Sequence, residues 1–251
     1  MHSRHYIRFS ENELIQLNRI NSKIWRCVMN SRNVVHLFMT TLLVGGVTGA
    51  LAGFIVRWNE FQSYFTSFQI VSIFSTFIWL FGVGLIFSVI SQAGFFAYLT
   101  IHRFGLGIFK SVSLWNAVQI LLLLFVLGDF IYLRYTNFES GEGLAPYILL
   151  ALFLLGAGLI VAYFKMKQTN KQTFIPALFF MVVATIIEWT PVLKGNDEAW
   201  LYFMLFPLLF CNAYQLLILN KLINRSQQEL ASKRNVVKVD GKMKNVVKGQ
   251  S

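Results

Sequence analysis

The chain has 251 residues, of which 56% are apolar and 13% charged, with a formal net charge of +11. A soluble domain carries about 25% charged residues, and a chain this apolar, with 25 Phe, would expose aggregation-prone patches in water. The positive charges lie between the apolar runs and at the two ends, which argues against a nucleic-acid groove and for membrane topology.

In chain order, the first element expected is a basic amino-terminal segment, 1–33. Ser10 and Glu13 form a capping-box pattern. Leu14, Leu17, Ile24 and Val28 then recur at helical spacing, with Arg19, Lys23 and Arg26 between them. This pattern fits an amphipathic helix on the anionic inner leaflet, an ordinary solvated helix, or a spurious extension if translation starts at Met29. No secretory signal peptide is expected, because the first apolar run begins near Val34 without a small-residue cleavage site. Cys27 and Cys211 have no CxxC or Cys/His spacing, so neither a disulfide scaffold nor a zinc site is indicated.

Six apolar runs come next, near 34–56, 68–92, 112–132, 145–164, 174–193 and 200–220. Each can cross about 30 Å of hydrocarbon as a helix, which needs about 20 residues. The expected fold is an all-α polytopic transmembrane helix bundle of about six spans, occupying 34–220. The second run resists a simple boundary, since 68–101 has almost no charge. The span is expected to tilt or to end near Ser91-Gln92-Ala93-Gly94, leaving Phe95 to Leu99 in the cytoplasmic interface or in a re-entrant segment. A polar, basic and largely disordered tail is expected over 221–251.

Basic residues alternate in density along the chain. The segment before the first span, the loops after the second and fourth, and the tail hold 19 of the 22 Lys and Arg residues. The other three, Arg57, Arg134 and Lys194, fall one to a loop beside Glu60, Glu139, Glu142, Asp197 and Glu198. The positive-inside rule then places both termini in the cytoplasm, in agreement with an even number of spans.

Four groups of residues are candidates for function. Gly45, Gly49 and Gly53 stack on one face of the first span, suiting a homo-oligomer or partner contact, or packing against another span of the same chain. Asp129 and Glu188 are the acids inside apolar runs, both expected near the outer ends of their spans. They reach the outer interface, pair with Arg134, Arg57 or Lys194, or serve proton-coupled transport or sensing. Gln92, Asn116, Gln119, Asn212 and Gln215 gather toward the inner side, fitting helix packing or a polar substrate cavity. His102, Arg103, Phe104, Gly105 and Lys110 are expected in a cytoplasmic loop that binds a partner. No HExxH, GxSxG or P-loop is present, and the GxG at Gly105–Gly107 lacks the strand and helix of a dinucleotide site. Neither cofactor nor enzyme activity is expected, and an intramembrane enzyme is the weakest alternative.

The stretch from Phe87 to Gln119 carries a family resemblance. It includes Ser91-Gln92-Ala93-Gly94, His102-Arg103-Phe104-Gly105-Leu106-Gly107 and Trp115-Asn116. With Ser31-Arg32-Asn33 and the glycine-rich first span, it resembles the KinB-signalling pathway activation protein (KbaA) family over about 32–220. The resemblance implies a small polytopic membrane protein of spore-forming Gram-positive bacteria. Such a protein acts positively on a membrane-bound sensor histidine kinase feeding the sporulation phosphorelay. It implies no catalytic residue. The segment 1–30 is longer than the family's usual start, and the basic tail has no counterpart in the resemblance.

Overall fold

The computed structural model describes residues 31–137, 144–193 and 197–248, with side chains through Ser232 apart from those of Asn137 and Glu198. The capping box, the amphipathic pattern, Met29 and Cys27 lie outside the described residues, as do Glu139, Glu142 and Lys194.

The described residues form seven helices: α1 (Ser31–Val56), α2 (Trp58–Thr66), α3 (Ile70–Phe109), α4 (Val112–Asn137), α5 (Ala145–Gln168), α6 (Lys171–Leu193) and α7 (Glu198–Lys248). All but α2 are long and apolar enough to span a membrane. This matches the expected number of spans. The chain divides into two compact units, one of residues 36–220, the other combining 1–35 with 221–251. In the latter, Asn33 Nδ2 donates to Ser226 Oγ (2.7 Å), whose hydroxyl donates to the Leu222 carbonyl (2.9 Å).

Within residues 36–220, α1 packs on α3 through glycine. A Cβ on Gly49 would sit 2.5 Å from the Gly84 Cα, and a Cβ on Gly53 would overlap Leu80. Only the missing side chains allow the two backbones this approach. The short α2 has no forerunner among the expected elements. It is an aromatic turn without buried residues, and Phe61 and Phe65 pack edge-on against Phe54 of α1 at 5.8 and 5.6 Å. Aromatic rings of this kind favour the membrane–water interface.

Helix α3 corrects the expected boundary at 91–94. It runs unbroken for 40 residues and ends where Lys110 adopts a left-handed conformation (φ 52°). At 1.5 Å per residue this is about 60 Å. Even at a tilt of about 40°, crossing 30 Å of hydrocarbon uses only about 26 residues, so α3 is longer than such a crossing needs. One face of the stretch expected in the interface is core: Phe95 and Tyr98 are buried, while Phe96 and Ala97 are exposed, and Phe95 packs edge-on against Phe180 at 5.4 Å. The reason is a stripe at helical spacing, Leu80, Gly84, Phe87, Ser91, Phe95 and Tyr98, which keeps one face of α3 buried past the expected end. The residues 102–109 expected in a loop are therefore helical.

Helix α6 is irregular. It opens with a 3-10 turn (Lys171–Thr173), where the Asn170 side chain accepts from the Thr173 N–H (3.2 Å), and holds a π-helical turn at Phe180–Ala184. A π turn inserts an extra residue and rotates the helix beyond it. Thr185, Glu188 and Trp189 come directly after it, all buried. Helix α7 continues through Lys248, so the tail expected to be disordered is helical over its described residues.

Candidate functional site: a buried polar centre around Glu188

Three helices bring short polar side chains together in an otherwise apolar interior. Helix α3 supplies Ser88, Ser91 and Gln92; α6 supplies Thr185 and Glu188; α7 supplies Asn212 and Gln215. All are buried. Asn212 is the hub. Its Nδ2 donates to Glu188 Oε2 (2.8 Å) and Thr185 Oγ1 (3.0 Å), and its Oδ1 accepts from Ser91 Oγ (2.7 Å). Gln215 Nε2 donates to Ser91 Oγ (2.7 Å) and to the Cys211 carbonyl (3.2 Å). Gln92 Nε2 donates to Ser88 Oγ (3.2 Å), whose hydroxyl donates to the Thr41 carbonyl of α1 (2.8 Å). The centre thus ties four helices together. In an apolar medium such bonds matter because their loss leaves buried polar groups without partners.

Glu188 is buried among the helices, and it pairs with neither Arg134 nor Arg57; Lys194 lies outside the described residues. Its Oε1 lies against the backbone of α3 at Gly94, where any Cβ would overlap it. Arg57 is engaged elsewhere: it pairs with Glu60 (2.9 Å) and lies over the Trp79 and Trp200 rings. Arg134 Nη1 donates to the Leu193 carbonyl at the end of α6 (3.2 Å), a favourable place for a cation on a helix dipole. Asp129 is exposed on the outside of the bundle and does not share a site with Glu188.

The remaining candidates divide. Gln92, Asn212 and Gln215 join the centre, whereas Asn116 and Gln119 sit on α4; Gln119 is buried beside Tyr98, whose hydroxyl donates to the Pro176 carbonyl (2.8 Å). Gly45, Gly49 and Gly53 face inward against α3. His102 and Gly105 also turn inward: His102 Nδ1 accepts from Trp115 Nε1 (3.0 Å), and Gly105 leaves room for that indole. Arg103, Phe104 and Lys110 are exposed.

Sequence reasoning does not single out Ser88, Ser91, Thr185 or Lys165. In sequence Lys165 is only a topological charge, yet it is buried, with Nζ donating to the Leu216 carbonyl (2.6 Å). Serine and threonine are common in membrane helices, so only spatial convergence distinguishes these. Among the described residues, no group of three His, Cys, Asp or Glu could hold a metal.

The family model for KbaA, described as KinB-signalling pathway activation in sporulation, matches residues 45–222. That range contains every side chain of the polar centre. The KinB-signaling pathway activation protein of Bacillus subtilis (strain 168) is 52% identical over 194 residues, covering 77% of this chain and 98% of that protein. No solved structure matches. On the strength of both the family match and the curated relative, the chain belongs to the KbaA family.

Proposed function

We propose that this chain is an integral membrane accessory protein that activates a membrane sensor histidine kinase pathway leading to sporulation. Both termini face the cytoplasm, and the protein acts through helix and surface contacts instead of catalysis. The observation that carries this reading is the 52% identity to a named pathway activator over nearly all of that protein's length. The distribution of basic residues supports the orientation.

The kinase contact we assign is the carboxyl-terminal end of α3. Phe104 and Ile108 are exposed there one turn apart, beside Arg103 and Lys110. The anionic inner leaflet is the second partner, attracting the basic segments at about 1 kcal/mol per Lys or Arg near the surface. The deciding experiment is complementation. Expression in a Bacillus subtilis strain lacking its own relative, sensitised so that sporulation depends on that kinase, should restore spore counts. A photocrosslinker at position 104 should then capture the kinase. Unrestored counts from a chain that reaches the membrane would sink the reading.

A small proton-coupled transporter or exporter is the second reading, and the buried Glu188 is what favours it. It requires substrate flux in vesicles that Glu188→Gln abolishes.

A further inference from the structure

The polar centre has a deficit of one kind. Its donors are engaged: the amide nitrogens of Gln92, Asn212 and Gln215, and the hydroxyls of Ser88, Ser91 and Thr185, each have an acceptor. Three buried acceptor oxygens have none: Glu188 Oε1, Gln92 Oε1 and Gln215 Oε1. Turning over an amide would exchange one orphan for another, because the oxygen then meets a group that already donates elsewhere. These groups are linked through a few successive hydrogen bonds, from Glu188 through Asn212 and Ser91 to Gln215, with Gln92 adjacent in sequence to Ser91. An uncompensated carboxylate is costly inside a membrane. A ligand that satisfies these oxygens must bring positive charge or a donor.

Among the described residues, no side chain supplies it. The ion pairs there include Arg57–Glu60 and Arg225–Glu229, and neither touches the centre. The titratable groups on the surrounding helices are directed elsewhere. On α3, the Tyr98 hydroxyl goes to the Pro176 carbonyl and His102 meets Trp115. On α5, Lys165 goes to the Leu216 carbonyl. On α4, Arg134 goes to the Leu193 carbonyl, and Asp129 is exposed. On α7, the Cys211 thiol meets the Thr41 carbonyl at 3.8 Å. Helix α1 offers only His36 beyond its first turn, and it is exposed.

We infer that the Glu188 centre is a binding site for a monovalent cation, a proton or an alkali-metal ion. One carboxylate balances one positive charge, and the remaining ligands on offer are neutral amide and hydroxyl oxygens. A divalent ion would call for further carboxylates or waters. Gly94 is part of the site, since its missing Cβ leaves the space that Oε1 occupies. The inference stands apart from the kinase reading, and its test needs no kinase.

The experiment is infrared difference spectroscopy on the full chain in proteoliposomes. One arm steps the pH in choline buffer; the other exchanges choline for sodium or potassium at fixed pH. A carboxyl band that responds in the wild type and in Asp129→Asn, and is missing in Glu188→Gln, supports the site. The arm that produces it identifies the ion. Gly94→Ala, which displaces the carboxyl, should weaken the response by about tenfold in midpoint concentration. If Glu188→Gln does not fold, the same titration read by the thermal unfolding midpoint of wild type and Gly94→Ala replaces it. Responses identical to wild type in folded Glu188→Gln, or in Gly94→Ala when that variant is the comparison, overturn the inference. So does the absence of any response to either ion in the wild type.

Discussion

At the scale of single residues, the spacing Gly45, Gly49, Gly53 reveals a contact face in the sequence alone, because glycines four apart align on a helix. Which surface they meet is a different matter, and α3 supplies the answer, with Gly84 against Gly45 and Gly49 and Leu80 against Gly53. Gly49→Leu forces side-chain atoms into the Gly84 backbone. It should destabilise the protein by about 1–3 kcal/mol, read as a lowered thermal unfolding midpoint in detergent and less protein in the membrane. Asn212→Ala removes three side-chain bonds and strips Glu188 Oε2 of its donor. At roughly 0.6 kcal/mol per interhelical bond in membranes, it should cost about 2 kcal/mol in the same assay. Asp129→Asn, on an exposed position, should stay within about 0.5 kcal/mol of wild type. The two acids look alike in sequence because each is one charge in an apolar run. Burial separates them.

At the scale of elements, hydropathy locates spans well and their ends poorly. The polar Ser91-Gln92 pair with Gly94 two residues on reads as a boundary, yet these residues serve the interior of α3. Ala97→Pro tests this directly. In a continuous helix a proline costs about 3 kcal/mol, so unfolding should begin at markedly lower temperature. In an interfacial loop the same change would leave the midpoint unmoved. Ala97 is exposed, so the substitution probes the helix backbone and not a contact with a neighbouring helix. The π turn in α6 has no readable signature either, since Phe180 to Ala184 is simply apolar. It sets the rotational phase of the downstream turns, which carry Glu188.

At the scale of the whole molecule, the family match ends at residue 222, next to the division between the two compact units at Asn220 and Lys221. A chain ending at Leu222 should therefore insert and still restore sporulation in the complementation strain, though with weaker retention on anionic vesicles as salt rises. Single cysteines tell the topology. Under the proposed orientation, a cysteine at Phe104 is shielded from a membrane-impermeant thiol reagent in intact cells, while one at Asn59 reacts.

The sequence by itself determined six apolar helices of membrane-spanning length and pointed to the family. Those properties rest on composition, run length and a long uninterrupted motif, all of which are local in the chain. Only the tertiary structure decided that Glu188, Thr185, two serines and three amides form one centre, that the glycine face is turned inward, and that Asp129 is not part of the site. The physical reason is that a polar side chain in an apolar helix is satisfied by residues far away in sequence. Ser91 and Asn212 are 121 positions apart, and hydropathy carries no record of which pairs will meet.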